Sequence, residues 1–258
     1  MSNNLEQIGF IVNSDDDFLN LATNLANKSP IFETNKGVYI GWSESENFGP
    51  ELWIQAEGNE IIGLHPYFRG KSEVYVGAMN LDNSPDHSQL DASLYVWLDP
   101  ETDDPESGVC PCLIDMVRFL CYENVKFPFI DTLSVAAFPQ EIEIYGSEDE
   151  YKNETSRFTE EEPENEDMPL NMASESLIPV GLFGEEENAQ AEPYAMFTGK
   201  IIETKKMINS HSQQEYIWAL VKTLGGTVDV VIAAEYAIKP VVEGGIISGV
   251  FWMCADFK

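Results

Sequence analysis

Between residues 32 and 100 the chain breaks into apolar runs too short for helices and closely separated by turn residues. Gly37-Val-Tyr-Ile-Gly-Trp42, Glu51-Leu-Trp-Ile-Gln55, Glu60-Ile-Ile-Gly-Leu64, Glu73-Val-Tyr-Val-Gly77 and Ala92-Ser-Leu-Tyr-Val-Trp97 are rich in aromatic and β-branched residues. Asn47-Phe-Gly-Pro50, Glu57-Gly-Asn59, Arg69-Gly-Lys71 and Asn80–Pro85 punctuate them. Runs of this kind read as strands, and such short connections favour antiparallel pairing. The pattern recurs near the C-terminus, where strands are expected over 195–206, 215–224, 227–233 and 245–254. The Gly225-Gly226 pair between two of them is a hairpin signal, because glycine reaches positive φ without steric cost.

One helix stands out against this β background. Ser14 is a good N-cap, and Asp15, Asp16 and Asp17 place negative charge on the first turn, where the helix dipole favours it. Phe18, Leu21, Ala22 and Leu25 then form one apolar stripe, and Pro30 bars continuation. The spacing of Leu113, Met116, Phe119 and Leu120 predicts a second, short helix within 112–122, and 234–243 is long enough for a short helix or crossover. The expected class is α+β, predominantly β. Neither half shows an internal repeat.

Charge suggests where the chain divides. Formal net charge is −31. Residues 1–140 hold 22 acids and 6 bases, residues 141–192 hold 17 and 2, and residues 193–258 hold 6 of each. The densest part, Ser147–Asp167, offers only Tyr151 and Phe158 for burial and reads as a solvated linker. The expected organisation is an acidic α+β domain over 1–146, a disordered acidic linker over 147–168, and a small β domain over 169–258. The last reads as a barrel or sandwich, OB-like in one version.

The same charge argues against nucleic acid or anionic lipid as partner of the whole chain, because phosphate binding runs on Lys and Arg. No stretch reaches the roughly 18 apolar residues of a membrane-spanning helix. Met1–Phe10 has neither the cationic run nor the apolar core of a signal peptide, so a cytoplasmic location is expected. Cys110, Cys112, Cys121 and Cys254 are too few for a disulfide scaffold and read as free thiols.

Several fragments together look familiar. Ser176-Leu-Ile-Pro179 with Gly181-Leu-Phe183, Phe197-Thr-Gly199-Lys-Ile201, Thr223-Leu-Gly-Gly226 with Asp229-Val-Val231, and Gly249-Val-Phe-Trp252 resemble a family of bacterial cytosolic proteins without known activity. Glu51-Leu-Trp53, His65-Pro-Tyr-Phe68 and residues 108–115 are similar to parts of the same family. The resemblance implies a two-part, β-rich protein and assigns no residue a role.

Motifs with known chemistry fail on spacing. Asp99, Glu101, Asp103, Asp104 and Glu106 suggest a calcium loop, but an EF-hand needs Gly sixth and Glu twelfth, where this chain has Asp104 and Cys110. An irregular divalent-cation site in that loop remains open. Cys110-Pro-Cys112 with Cys121 lacks the paired two-to-four-residue spacings of structural zinc. No metal or cofactor is therefore assigned. There is no nucleophile elbow, P-loop, dinucleotide fingerprint or H-E-x-x-H.

Three functions are weighed. The first is a non-catalytic module that binds a basic protein through an acidic surface, an inhibitor of the immunity type being one form. Its candidate surface holds His65, Tyr67, Trp53 and Trp97, set against the alternative that such aromatics fill a β core and that His65 is a hydrogen-bonded structural residue. The second is an OB-like nucleic-acid module using Lys200, Lys205, Lys206 and Lys222 with Phe197 and Trp218 as stacking platforms. The third is an enzyme with His65 as general base, which would need a positioned partner within hydrogen-bond reach. His87 and His211 lie in polar loops and read as solvent-facing.

Overall fold

A computed structural model describes residues 4–58, 60–82, 88–122, 124–156, 173–182 and 191–258. The chain begins with a short helix α1 (Asn4–Gln7) and the expected helix α2 (Asp15–Ala26). The Ser14 hydroxyl accepts the Asp17 N–H at 3.2 Å, and Ala22 and Leu25 of the apolar stripe are buried. Four antiparallel strands follow as a meander: β1 (Ile31–Glu33), β2 (Val38–Ser43), β3 (Gly49–Glu57) and β4 (Glu60–Arg69).

The remaining strands form one sheet of nine: β5 (Glu73–Leu81), β6 (Ser93–Leu98), β7 (Cys110–Met116), β8 (Phe129–Tyr145), β9 (Ser176–Pro179), β10 (Tyr194–Ile208), β11 (Glu215–Thr223), β12 (Gly226–Ala233) and β13 (Ile246–Phe257). This sheet closes twice. β5, β6 and β7 are a meander, and β8 returns to pair with β5. β10, β11 and β12 repeat that plan, with β13 returning to β10. β8 and β13 pair antiparallel from Leu133↔Phe257 to Tyr145↔Ile246, so both rings share this pair. A short parallel contact completes each ring: Asp115 and Met116 with Cys254 and Ala255, and Asp229 and Val230 with Ala136 and Ala137.

The repeat extends to irregularities. β5 slips register against β6 between Ala78 and Asn80, and β10 slips against β11 between Ile201 and Glu203. Bulges sharpen strand bending, which a small closed ring requires. Pro139 sits where β8 slips against β13, a place where the missing N–H costs the ladder least.

This topology alters three expectations. Residues 169–258 do not close a barrel alone; their ring is completed by β8, which precedes residue 147. A division at 147–168 therefore separates sequence segments whose strands are paired. Within the expected linker, Glu148–Ser156 is a helix, α3. Ser147 Oγ accepts the Glu150 N–H at 3.1 Å, three acids occupy the first turn, and Tyr151 is buried with its ring 5.1 Å from Tyr145. Residues 157–168 lie outside the described residues. Finally, the helix expected within 112–122 is strand β7 followed by a single 3-10 turn at Phe119–Cys121. Strand alternation places Cys110, Cys112, Ile114 and Met116 in the ring core, which outweighs the helical spacing. Residues 234–243 cross over without a helix.

Two cores result. One fills the rings with Val76, Leu94, Val96, Val135, Phe197, Val221, Val230 and Phe251 among others. The second lies where the β1–β4 sheet packs on the outside of the rings, and it is aromatic: Tyr39, Trp53, Tyr67, Phe68, Phe138, Tyr216 and Trp218. Gly41 is required there, since a Cβ at this position would stand 2.5 Å from the Trp53 ring.

Candidate functional site

The four expected surface residues do not share a surface. Trp53 and Tyr67 are 5% and 0% exposed, with Tyr67 donating its hydroxyl to the Ser134 carbonyl at 2.9 Å. β3 is buried along both of its faces, and Tyr67 and Arg69 of β4 reach Ser134 and Asp256 of the rings, so neither Trp53 nor Tyr67 is presented to solvent. Trp97 lies half-buried on β6, in the other sheet. Only His65 retains a polar opening.

His65 has the partner that sequence could not supply. Its Nε2 is 3.3 Å from Asp91 Oδ1, with both side chains about one quarter exposed, at 27% and 25%. Asp91 also accepts the Ser88 N–H at 2.8 Å and the Gln55 amide at 3.0 Å. Burial alone would raise the Asp91 pKa, but the contact and charge of His65, with the Ser88 and Gln55 bonds, hold it well below the usual carboxylate range. Gly63 lies alongside, where a Cβ would meet Gln55 Oε1 at 2.7 Å and His65 Nε2 at 3.3 Å. The cluster is thus a partly exposed polar group with an oriented imidazole.

Beneath His65 on the same face of the sheet is a buried ionic network. Arg69 bonds Glu51 Oε1 at 2.5 Å and Asp256 at 3.1 Å. Arg118 donates twice to Asp256, at 2.9 and 2.7 Å, and Tyr122 donates once at 2.6 Å. The Arg118 guanidinium also lies 4.8 Å from the Trp53 ring centroid. Asp256 is fully buried on β13, so these bonds tie the meander and the 118–122 segment to the shared strand pair. Two cations face two anions, and the network is neutral. Its purpose here is to fix β4. No sequence pattern relates residues 51, 69, 118 and 256.

The acidic face is ordered. Asp99, Glu101, Asp103, Asp104 and Glu106 are exposed on the β6–β7 connection. Ser107 Oγ accepts the Glu101 N–H and donates to the Asp104 carbonyl, both at 2.6 Å, and Asp104 accepts the Glu106 N–H at 3.1 Å. Pro105 approaches Gly77 so closely that a Cβ there would lie 2.0 Å from its carbonyl oxygen. Among the described residues no Lys or Arg pairs with any of the five carboxylates. Elsewhere Lys71, Lys152, Lys222, Lys239 and Lys258 pair with glutamates, and Arg69 and Arg118 turn inward. Among the described residues no three His, Cys, Asp or Glu side chains are gathered to hold a metal.

The nucleic-acid platform does not assemble. Phe197 and Trp218 are 1% and 0% exposed and cannot stack on bases, while Lys222 is paired with Glu175. His211 is exposed beside Phe10 and Trp42, as expected; His87 lies outside the described residues. The four cysteines are free, three of them buried. No helix among the described residues is long and apolar enough to cross a membrane. No family model, curated protein or solved structure matches this chain.

Proposed function

We propose that the protein is a non-catalytic module that binds a basic protein through its acidic face. One observation carries this reading: five exposed carboxylates on the β6–β7 connection stand in an internally bonded loop with no intramolecular cation among the described residues. A pre-ordered loop loses little entropy on binding, and an acidic field accelerates encounter with a cationic surface. An inhibitor that covers the basic face of a nuclease is one concrete form. The test compares the intact protein with a variant carrying Asp99→Asn, Glu101→Gln, Asp103→Asn, Asp104→Asn and Glu106→Gln. Wild type should retain basic cytochrome c at about 50 mM salt and release it as screening shortens. The amide variant should retain at least tenfold less. Equal retention by both proteins refutes the assignment to this loop.

A second reading rests on the 3.3 Å contact between His65 and Asp91. A carboxylate on one imidazole nitrogen leaves the other available as a general base. Turnover of an activated ester, lost in His65→Ala at unchanged melting temperature, would favour it over the first.

A further inference from the structure

The mouth of the second ring holds a cavity of about 620 Å³ between the β10–β11 hairpin and the 234–242 crossover. That size falls in the range of small-molecule sites, and barrel mouths are among their usual places. One wall is apolar: Ile217, Ala237, Pro240, Val241 and Val242 line it. Ile238 stands at the rim with 92% of its surface exposed, although it is one of the largest apolar side chains in the segment. Beyond Ile238 and Lys239 lies a second cavity of about 220 Å³, lined by Ile142, Ile144 and Tyr236 among others. Glu143 and Glu154 line that cavity as well, so apolar surface continues past the rim only along Ile142, Ile144 and Tyr236.

The opposite wall carries charge. Lys205 and Lys206 both border the cavity, but adjacent strand residues face opposite ways. Lys205 lies 5.7 Å from the Phe48 ring, on the aromatic-core side of β10. Lys206, cross-strand from Ile217, is left facing the cavity. In a chain with 45 acids and 14 bases, no carboxylate among the described residues pairs with Lys206. Lys239 at the rim is held by Glu150 and Glu154 and contributes no free charge. Glu215 borders the cavity too, at its exposed end.

We propose that this mouth is a binding site for a small aliphatic carboxylate, its head on Lys206 and its chain along Ile217, Val241 and Ile238. The apolar wall selects a chain, and the unpaired ammonium selects an anion. The site shares no residue with the acidic β6–β7 loop, so its test is independent of the function proposed above.

The experiment is calorimetric titration of the intact protein with decanoate below its micellar concentration, and with decyltrimethylammonium as the matched cation. Lys206→Glu and Ile238→Asp change exposed side chains, so both variants should fold, which thermal melting verifies. Saturable binding of decanoate, at least tenfold weaker in each variant and absent for the cation, supports the site. No saturable binding overturns it. So does binding that both variants leave unchanged, or equal affinity for the cationic amphiphile.

Discussion

Asp256 is the residue whose loss should most damage the join between the meander and the rings. Its carboxylate is fully buried and accepts four bonds, two from Arg118, one from Arg69 and one from Tyr122. Asp256→Asn keeps the shape and removes the charge. Arg69 would keep Glu51, but Arg118 would lose the one carboxylate that pairs with it among the described residues. Breaking a buried pair costs about 3–5 kcal/mol, because the surviving charge is left without compensation. The arginines are 23% and 21% exposed, so water reaches their outer edges and the lower end of that range applies, about 3 kcal/mol. For a chain of this size that corresponds to a melting temperature lower by roughly 6–12 °C. Urea unfolding of both proteins measures the difference directly. The companion variant Arg118→Met with Asp256→Leu removes both charges and leaves the Arg69–Glu51 pair neutral. It should recover most of the loss, since an apolar replacement of a whole pair is often neutral. A cost below about 1 kcal/mol for Asp256→Asn, the value of an exposed pair, would refute the reasoning.

Two further outcomes follow from the site and the core. Asp91 has its folded pKa below the unfolded value, so its contribution to stability is complete above roughly pH 4 and declines as pH falls further. His65→Gln removes the imidazole partner, so urea midpoints of variant and wild type should differ at pH 6 and converge towards pH 2; a constant gap would exclude the pair as its origin. Gly41→Ala forces a methyl to within 2.5 Å of the Trp53 ring and should destabilise by about 1–3 kcal/mol. A melting temperature unchanged by that methyl would show the ring free to move.

Much of the local structure was legible. Alternation and turn residues located β2, β3, β5, β6, β10, β11 and β12 to within a few residues. Ser14 and three aspartates marked α2. The same signal stands at Ser147-Glu148-Asp149-Glu150 and marks α3, yet the surrounding charge made that run read as linker. The candidate site was less accessible. His65 was singled out, but Asp91 is far from it in sequence and arrives only because the 88–91 turn folds over β4. Trp53 and Tyr67 were open to a core or a surface reading, and the core reading holds because β3 is covered on both faces once the meander packs on the rings.

The sequence by itself determined the type of most elements, the antiparallel pairing of strands joined by short turns and the uneven spread of acid. Those properties depend on the period of side-chain direction, on turn chemistry and on composition, all of which are local. Tertiary structure decided the rest. The repeat of β5–β8 in β10–β13 was hidden because the β6–β7 and β11–β12 connections differ so much in length, and because a ring core asks only for apolar residues at alternate positions. Closure through the shared β8–β13 pair, the neutral network around Asp256 and the lack, among the described residues, of a cation on the β6–β7 carboxylates all depend on residues distant in sequence. Register and burial brought them together or kept them apart.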